Sequence, residues 1–108
     1  MEDKIYTIEE IKRITRLIFE EYGVEKAYIF GSYARGDHDI NSDIDIMIVA
    51  KKIKSLLVIG EMLETLKERL KKQVDLIEEE CFEQEELDDI DNDFYEKIKD
   101  ERVIIYYK

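Results

Sequence analysis

Apolar residues recur along this chain with two different periods, and each change of period marks an element. Ile8, Ile11, Ile14, Ile18 and Tyr22 follow one another at helical spacing. Thr7-Ile8-Glu9-Glu10 has the form of a capping box, in which Thr7 caps and Glu10 reaches back, and Gly23 supplies a C-terminal stop. Ala27-Tyr28-Ile29-Phe30 reads as a short strand ending at Gly31-Ser32, and Asp43 to Ala50 reads as a second strand. Between them, Asp37 to Ser42 holds turn formers and one apolar residue, Ile40. Ser55 stands at a capping position before a stripe of Leu56, Ile59, Leu63, Leu66 and Leu70. Gln73 to Ile77 predicts a third strand, Leu87, Ile90, Phe94 and Ile98 a final helix, and Val103 to Tyr107 a closing strand. The order α-β-(short turn or helix)-β-α-β-α-β predicts an α+β fold, a small mixed sheet packed against helices.

Composition narrows the class. At 108 residues, with no repeat, low-complexity tract or linker, the chain is expected to form one domain, 1–108. Its 17 Lys and Arg against 28 Asp and Glu leave a net charge of −11. That balance argues against a direct grip on nucleic acid, which needs clustered cations on phosphates. A basic protein partner, or a ligand that arrives with metal cations, suits such a surface better. The acidic stretch from Glu78 to Asp93 reads either as a solvated face or as a docking surface for that partner. Cys81 is the only cysteine, which excludes an internal disulfide and a Cys-rich zinc site. No apolar run reaches membrane-spanning length and Met1-Glu2-Asp3-Lys4 is unlike a signal peptide, so the expected location is cytoplasmic, with no membrane partner. The absence of proline and the abundance of Ile, Lys and Glu over Asn and Gln suit a heat-loving organism, or equally a low-GC genome.

Candidate chemistry concentrates in Gly31-Ser32-Tyr33-Ala34-Arg35-Gly36 and in Ser42-Asp43-Ile44-Asp45. In a strand, residues i and i+2 project to one face, roughly 6.5–7 Å apart. Asp43 and Asp45 therefore share a face, and Ile44, Ile46, Ile48 and Ala50 line the other. Two neighbouring carboxylates at the head of an apolar strand repel each other and are costly to desolvate, unless they sit at a solvated strand end. A divalent cation removes that cost, and Mg²⁺ in particular is held by one or two carboxylates plus substrate phosphates. Gly31-Ser32 directly after a strand offers small side chains and free backbone N–H groups that can cradle phosphate oxygens, with Arg35 near by as a cation. Either element alone is ordinary, an exposed Asp pair or a strand-to-helix turn. Together, ten residues apart, they are much more specific. Asp75, a charge inside a short apolar strand, asks for a partner or else faces water on a sheet edge.

Gly31-Ser32, ten residues, then Asp43-Ile44-Asp45 resembles the signature of the DNA polymerase β-like nucleotidyltransferase superfamily. The fuller string through Arg35-Gly36, Ser42 and Val49 is similar to the minimal nucleotidyltransferase branch, MntA-like antitoxins included, and the likeness covers nearly the whole chain. It implies a polymerase β palm-like fold with Asp75 as a third carboxylate. It implies further that Asp43 and Asp45 bridge two Mg²⁺ ions, that Asp75 joins one of them, and that Asp75 is also a candidate proton acceptor. On the same resemblance Gly31 and Ser32 contact the phosphates of the nucleotide donor, ATP, with Arg35 as a helper. The acceptor implied is a tyrosine of a cognate HEPN-type RNase toxin, which would make the chain a protein adenylyltransferase and antitoxin.

Two other readings stay open. One keeps the chemistry but transfers to a small hydroxylated molecule such as an aminoglycoside; the short chain offers little sequence for binding it unless a dimer builds a cleft. The other is a binding-only antitoxin that masks its partner. A homo-oligomer through a sheet edge or an apolar helix face is open as well. His38 is expected to be a solvated loop residue, Cys81 a small buried or half-buried one, and Tyr106 and Tyr107 parts of the terminal strand.

Overall fold

A strand that is apolar on both sides of the pleat belongs inside a sheet that is covered on both faces. Ile44–Val49 is such a strand apart from Asp45, and it takes that place in a computed structural model of the protein, which describes residues 5–83 and 88–108. The elements run α1 (Ile8–Tyr22), β1 (Lys26–Phe30), α2 (Ser32–Arg35), β2 (Ile44–Val49), α3 (Leu56–Leu70) and β3 (Val74–Glu78). A 3-10 turn over Glu79–Phe82, α4 (Asp89–Glu101) and β4 (Val103–Tyr107) complete the chain. The four strands form one sheet in the order β3-β2-β1-β4. β1 is antiparallel to both β2 and β4, whereas β2 and β3 are parallel and joined by the α3 crossover. This is the mixed α+β architecture that the periodicity predicts.

The local signals explain α1 in full. Thr7 Oγ1 accepts the Glu10 N–H and Glu10 Oε1 accepts the Thr7 N–H, each at 3.1 Å, so two otherwise orphaned donors are satisfied. Gly23, at φ +76°, ends the helix in the left-handed conformation that a residue without a Cβ adopts freely. α3 departs from expectation at its start. Ser55 occupies the cap position by its backbone, but its side chain makes no capping bond. At the other end the left-handed residue is Lys71, and the Leu70 carbonyl accepts the Tyr6 hydroxyl at 2.6 Å.

One face of the sheet presents Ile44, Ile46 and Ile48 with Ile29, packed against Ile11, Ile18 and Phe19 of α1 and Met62, Leu66 and Leu70 of α3. The opposite face is covered less completely. There α4 meets the sheet through Ile98, which joins Phe30 and Met47, with Phe82 and Tyr95 alongside. The apolar stripe expected of the last helix is therefore mostly unburied: Ile90 is 80% exposed and Phe94 46%. Leu87 lies outside the described residues. Among the described residues no helix is long and apolar enough to cross a membrane.

Ile46 belongs to the larger cluster and is fully buried. Ile46→Ala is expected to lower unfolding free energy by about 3 kcal/mol through lost burial and the cavity left behind. Urea denaturation monitored by circular dichroism measures that loss.

Candidate active site

Where β1 ends, the chain must turn within one residue to pass a carboxylate. Phe30 lies opposite Asp45 in the β1–β2 register, and Gly31 follows at φ +74° and ψ −150°. A Cβ at Gly31 would collide with the Asp45 carboxyl group, so glycine is required here by backbone conformation and by space together. α2 is anchored by Tyr33, which is buried in the main core. His38 stacks on the Tyr33 ring at 4.0 Å and is half-buried, not the solvated loop residue its surroundings in the sequence suggest.

The intervening loop is built to return the chain to β2. The Asn41 N–H donates to Asp39 Oδ1 at 2.8 Å and the Asp39 N–H to Ser42 Oγ at 2.9 Å, a self-bonded polar turn. Lys72, nearly buried, donates from Nζ to the Ile40 carbonyl at 2.8 Å. The Ile44 N–H bonds the Gln73 carbonyl at 3.0 Å. Together these contacts fix where β2 begins. Asp43 lies just before that strand and is exposed, and Asp45 is half-buried.

The parallel β2–β3 register sets Asp45 directly beside Asp75. Asp75 sits exposed on an edge strand, the position in which a charged strand residue faces water, with Asp45 across the register from it. Burial, a hydrogen bond shared with Asp75 and the negative charges of Asp75 and Asp43 push the Asp45 carboxyl up to about 7, and Arg35 offsets this only in part. All six residues singled out from the sequence (Gly31, Ser32, Arg35, Asp43, Asp45 and Asp75) line one cleft of about 680 Å³ between the sheet and α4. A second groove of about 660 Å³ lies between α1 and β4 and is lined by Lys12, Arg13 and Arg16. Volume does not separate the two grooves; the convergent carboxylates do.

Three residues of the cleft have no signal in the sequence: Phe94, Lys97 and Glu101, all from α4. Phe94 reads only as part of the helix's apolar stripe, Lys97 and Glu101 resemble surface residues of an acidic helix, and only the fold brings all three to the cleft. Glu101 matters for Arg35. The Arg35 guanidinium donates from Nε to Asp37 at 3.1 Å and from Nη1 to Glu101 at 3.3 Å, so its charge is already shared by two carboxylates. The Gly31 N–H also donates to Glu101, at 3.2 Å. Cys81 follows β3 in the 3-10 turn and is exposed, contrary to the expectation of burial, because that turn lies on the incompletely covered side.

The fold and this cleft define a class, and comparison with known proteins agrees. The polymerase β nucleotidyltransferase family pattern matches residues 9–108. A candidate protein adenylyltransferase of Methanocaldococcus jannaschii is 44% identical over 70 residues, covering 65% of this chain and 75% of its own. The protein adenylyltransferase MntA of Thermococcus cleftensis is 39% identical over 75 residues, covering 66% and 76%. Among solved structures, a chain of a toxin–antitoxin complex with AMP-PNP superposes with a TM-score of 0.69 at 19% identity, over 90% of this chain and 73% of that one. A candidate minimal nucleotidyltransferase gives 0.67 at 20% identity, over 91% and 95%. The chain belongs to the polymerase β-like nucleotidyltransferases, in their minimal, MntA-type family.

The Asp45 carboxyl carries a pH signature in the metal-free protein. Its folded-state pKa lies above the unfolded value, so its contribution to stability is complete at low pH and is lost as pH rises from about 4 through about 7. Urea midpoints measured from pH 4 to 8 should fall across that window more steeply in the wild type than in Asp45→Asn.

Proposed function

We propose that this chain transfers AMP from ATP to a tyrosine hydroxyl of a HEPN-type RNase toxin and thereby serves as the antitoxin of the pair. The observation that carries this reading is the meeting of Asp43, Asp45 and Asp75 with the Gly31-Ser32 turn in one cleft. Relatives 39–44% identical are named as protein adenylyltransferases. The same fold occurs in a complex of a tri-AMPylated Shewanella oneidensis HEPN toxin with its antitoxin, at a TM-score of 0.65 and 16% identity. Residues 1–108 would act as a single minimal nucleotidyltransferase domain, in the cytoplasm.

The site suits Mg²⁺. Its donors are hard carboxylate oxygens, and the burial and like-charge repulsion that raise the Asp45 pKa are costs that a divalent cation relieves. Among the described residues the side chains as placed do not form a closed group of three ligands, and Mg²⁺ bound with nucleotide does not need one, because substrate phosphates complete its coordination. Asp43, Asp45 and Asp75 would hold two Mg²⁺ ions, which supply charge neutralisation for the phosphates and acidify the acceptor hydroxyl.

The chain's own residues do the rest. Gly31 and Ser32 present N–H and hydroxyl donors to the β- and γ-phosphates, and Arg35 adds positive charge. Glycine at 31 lets the backbone approach the nucleotide. The acceptor oxygen forms a bond to the α-phosphorus while the bond to the β-phosphate bridging oxygen breaks. Pyrophosphate leaves with that electron pair, and Asp75, exposed at the cleft, accepts the hydroxyl proton. Positioning and charge neutralisation supply most of the acceleration. The net charge of −11 suits a basic, RNA-cleaving protein as acceptor.

Incubation with the protein encoded beside it, ATP and Mg²⁺ should add AMP to that partner, read by intact mass. No adduct would remove the acceptor assignment. Asp75→Ala should retain the fold and lose transfer by at least about a hundredfold. In cells, Asp43→Ala combined with Asp45→Ala should no longer protect against the toxin; full protection would make masking, not catalysis, the mode of action.

A further inference from the structure

Glu101 ends α4 with its side chain inside the cleft, only 17% exposed. Its carboxylate accepts the Gly31 N–H at 3.2 Å and Arg35 Nη1 at 3.3 and 3.5 Å. These are the donors that the proposed transfer requires for the outer phosphates, so a role for Glu101 in nucleotide binding rests on that reading. Gly31 has one N–H hydrogen, which serves a carboxylate or a phosphate but not both. A carboxylate and a phosphate attract the same donors with the same sign of charge, so the two compete.

The backbone at Glu101 is not free to retreat. The adjoining Arg102 is ion-paired with Glu79 and lies over the Tyr28 ring at 4.0 Å. Release therefore comes from rotation of the Glu101 side chain. A receiving group stands four residues earlier on the same helix. Lys97 lines the cleft and has no hydrogen bond or ion pair among the described residues. Residues i and i+4 of a helix are neighbours on its surface, so Glu101 can reach Lys97 by rotating.

We infer that Glu101 is a displaceable internal competitor for the phosphate seat: it holds Gly31 and Arg35 until a nucleotide's outer phosphates take those donors, and it then pairs with Lys97. The competition makes Glu101 a specificity-determining residue. A ligand must carry phosphates beyond the reacting one to reach the donors and dislodge it. After transfer the returning carboxylate helps to expel pyrophosphate.

The test is calorimetric titration of the full chain with ATP and, separately, with inorganic pyrophosphate, both with Mg²⁺. The variants are Glu101→Ala, Glu101→Gln, Lys97→Ala and the Glu101→Ala, Lys97→Ala pair, each checked for folding by circular dichroism. Glu101→Ala should bind both probes about tenfold more tightly, the scale of one charge-assisted hydrogen bond. Glu101→Gln keeps an acceptor for Gly31 without the charge and should fall between. Lys97→Ala should weaken binding in the wild type and have no effect in the Glu101→Ala background. Unchanged or weaker binding by Glu101→Ala overturns the competition and makes Glu101 a residue that merely positions the turn. If that variant does not fold, Glu101→Gln decides by the same criterion. An equal loss on removing Lys97 in both backgrounds overturns the exchange, since Lys97 would then hold phosphate itself. If pyrophosphate shows the Glu101 effect while ATP fails to bind, the adenylyl-transfer reading falls and the competition stands. Failure of every variant with both probes defeats both.

Discussion

The crowding of negative charge around Asp45 is the constraint on which the site depends. Its carboxyl lies beside Asp75 across the parallel strand pair and against the Gly31 backbone, with Asp43 two residues away. A folded protein leaves such a cluster in place only where something else settles its charge, because burial and like-charge repulsion both oppose ionisation. The same crowding dictates the residue at 31. With the carboxyl so close, the turn after β1 has no room for a side chain.

The architecture sustains this arrangement by covering the two sheet faces unequally. α1 and α3 seal one face with a continuous apolar core, whereas α4 reaches the other through Ile98 alone among its buried residues. The central strand is thus buried along most of its length and open near its head, where Asp45 is only half-buried. The cleft is bounded on one side by the packed sheet and on the other by α4, which buries only Ile98. Phe94, Lys97 and Glu101 of that helix line it.

The acidic character of the chain has two consequences of opposite sign. Within the cleft it makes the bare site hostile to a polyanion, and Glu101 adds to that hostility by occupying Arg35 and the Gly31 N–H. Over the rest of the surface it favours a basic partner.

Local order was legible in the sequence wherever a residue type answers to a short-range rule. The capping box at Thr7 and Glu10, the stop at Gly23, the alternation of Ile44, Ile46 and Ile48, and the Gly31-Ser32 and Asp43-Ile44-Asp45 strings depend on neighbours within a few positions. The α+β order followed from them. The sequence could not show that Ser55 leaves its helix uncapped by a side chain, that His38 stacks on Tyr33, or that Cys81 is exposed. Nor could it show that the Arg35 charge is spent on Asp37 and Glu101, the latter sixty-six residues away. By itself the sequence determined which carboxylates and which turn this protein possesses, because motif spacing is a property of the chain. The tertiary structure alone decided how they meet, because strand register set Asp75 beside Asp45 and the return of α4 brought Glu101 to Gly31, and neither contact has a local cause.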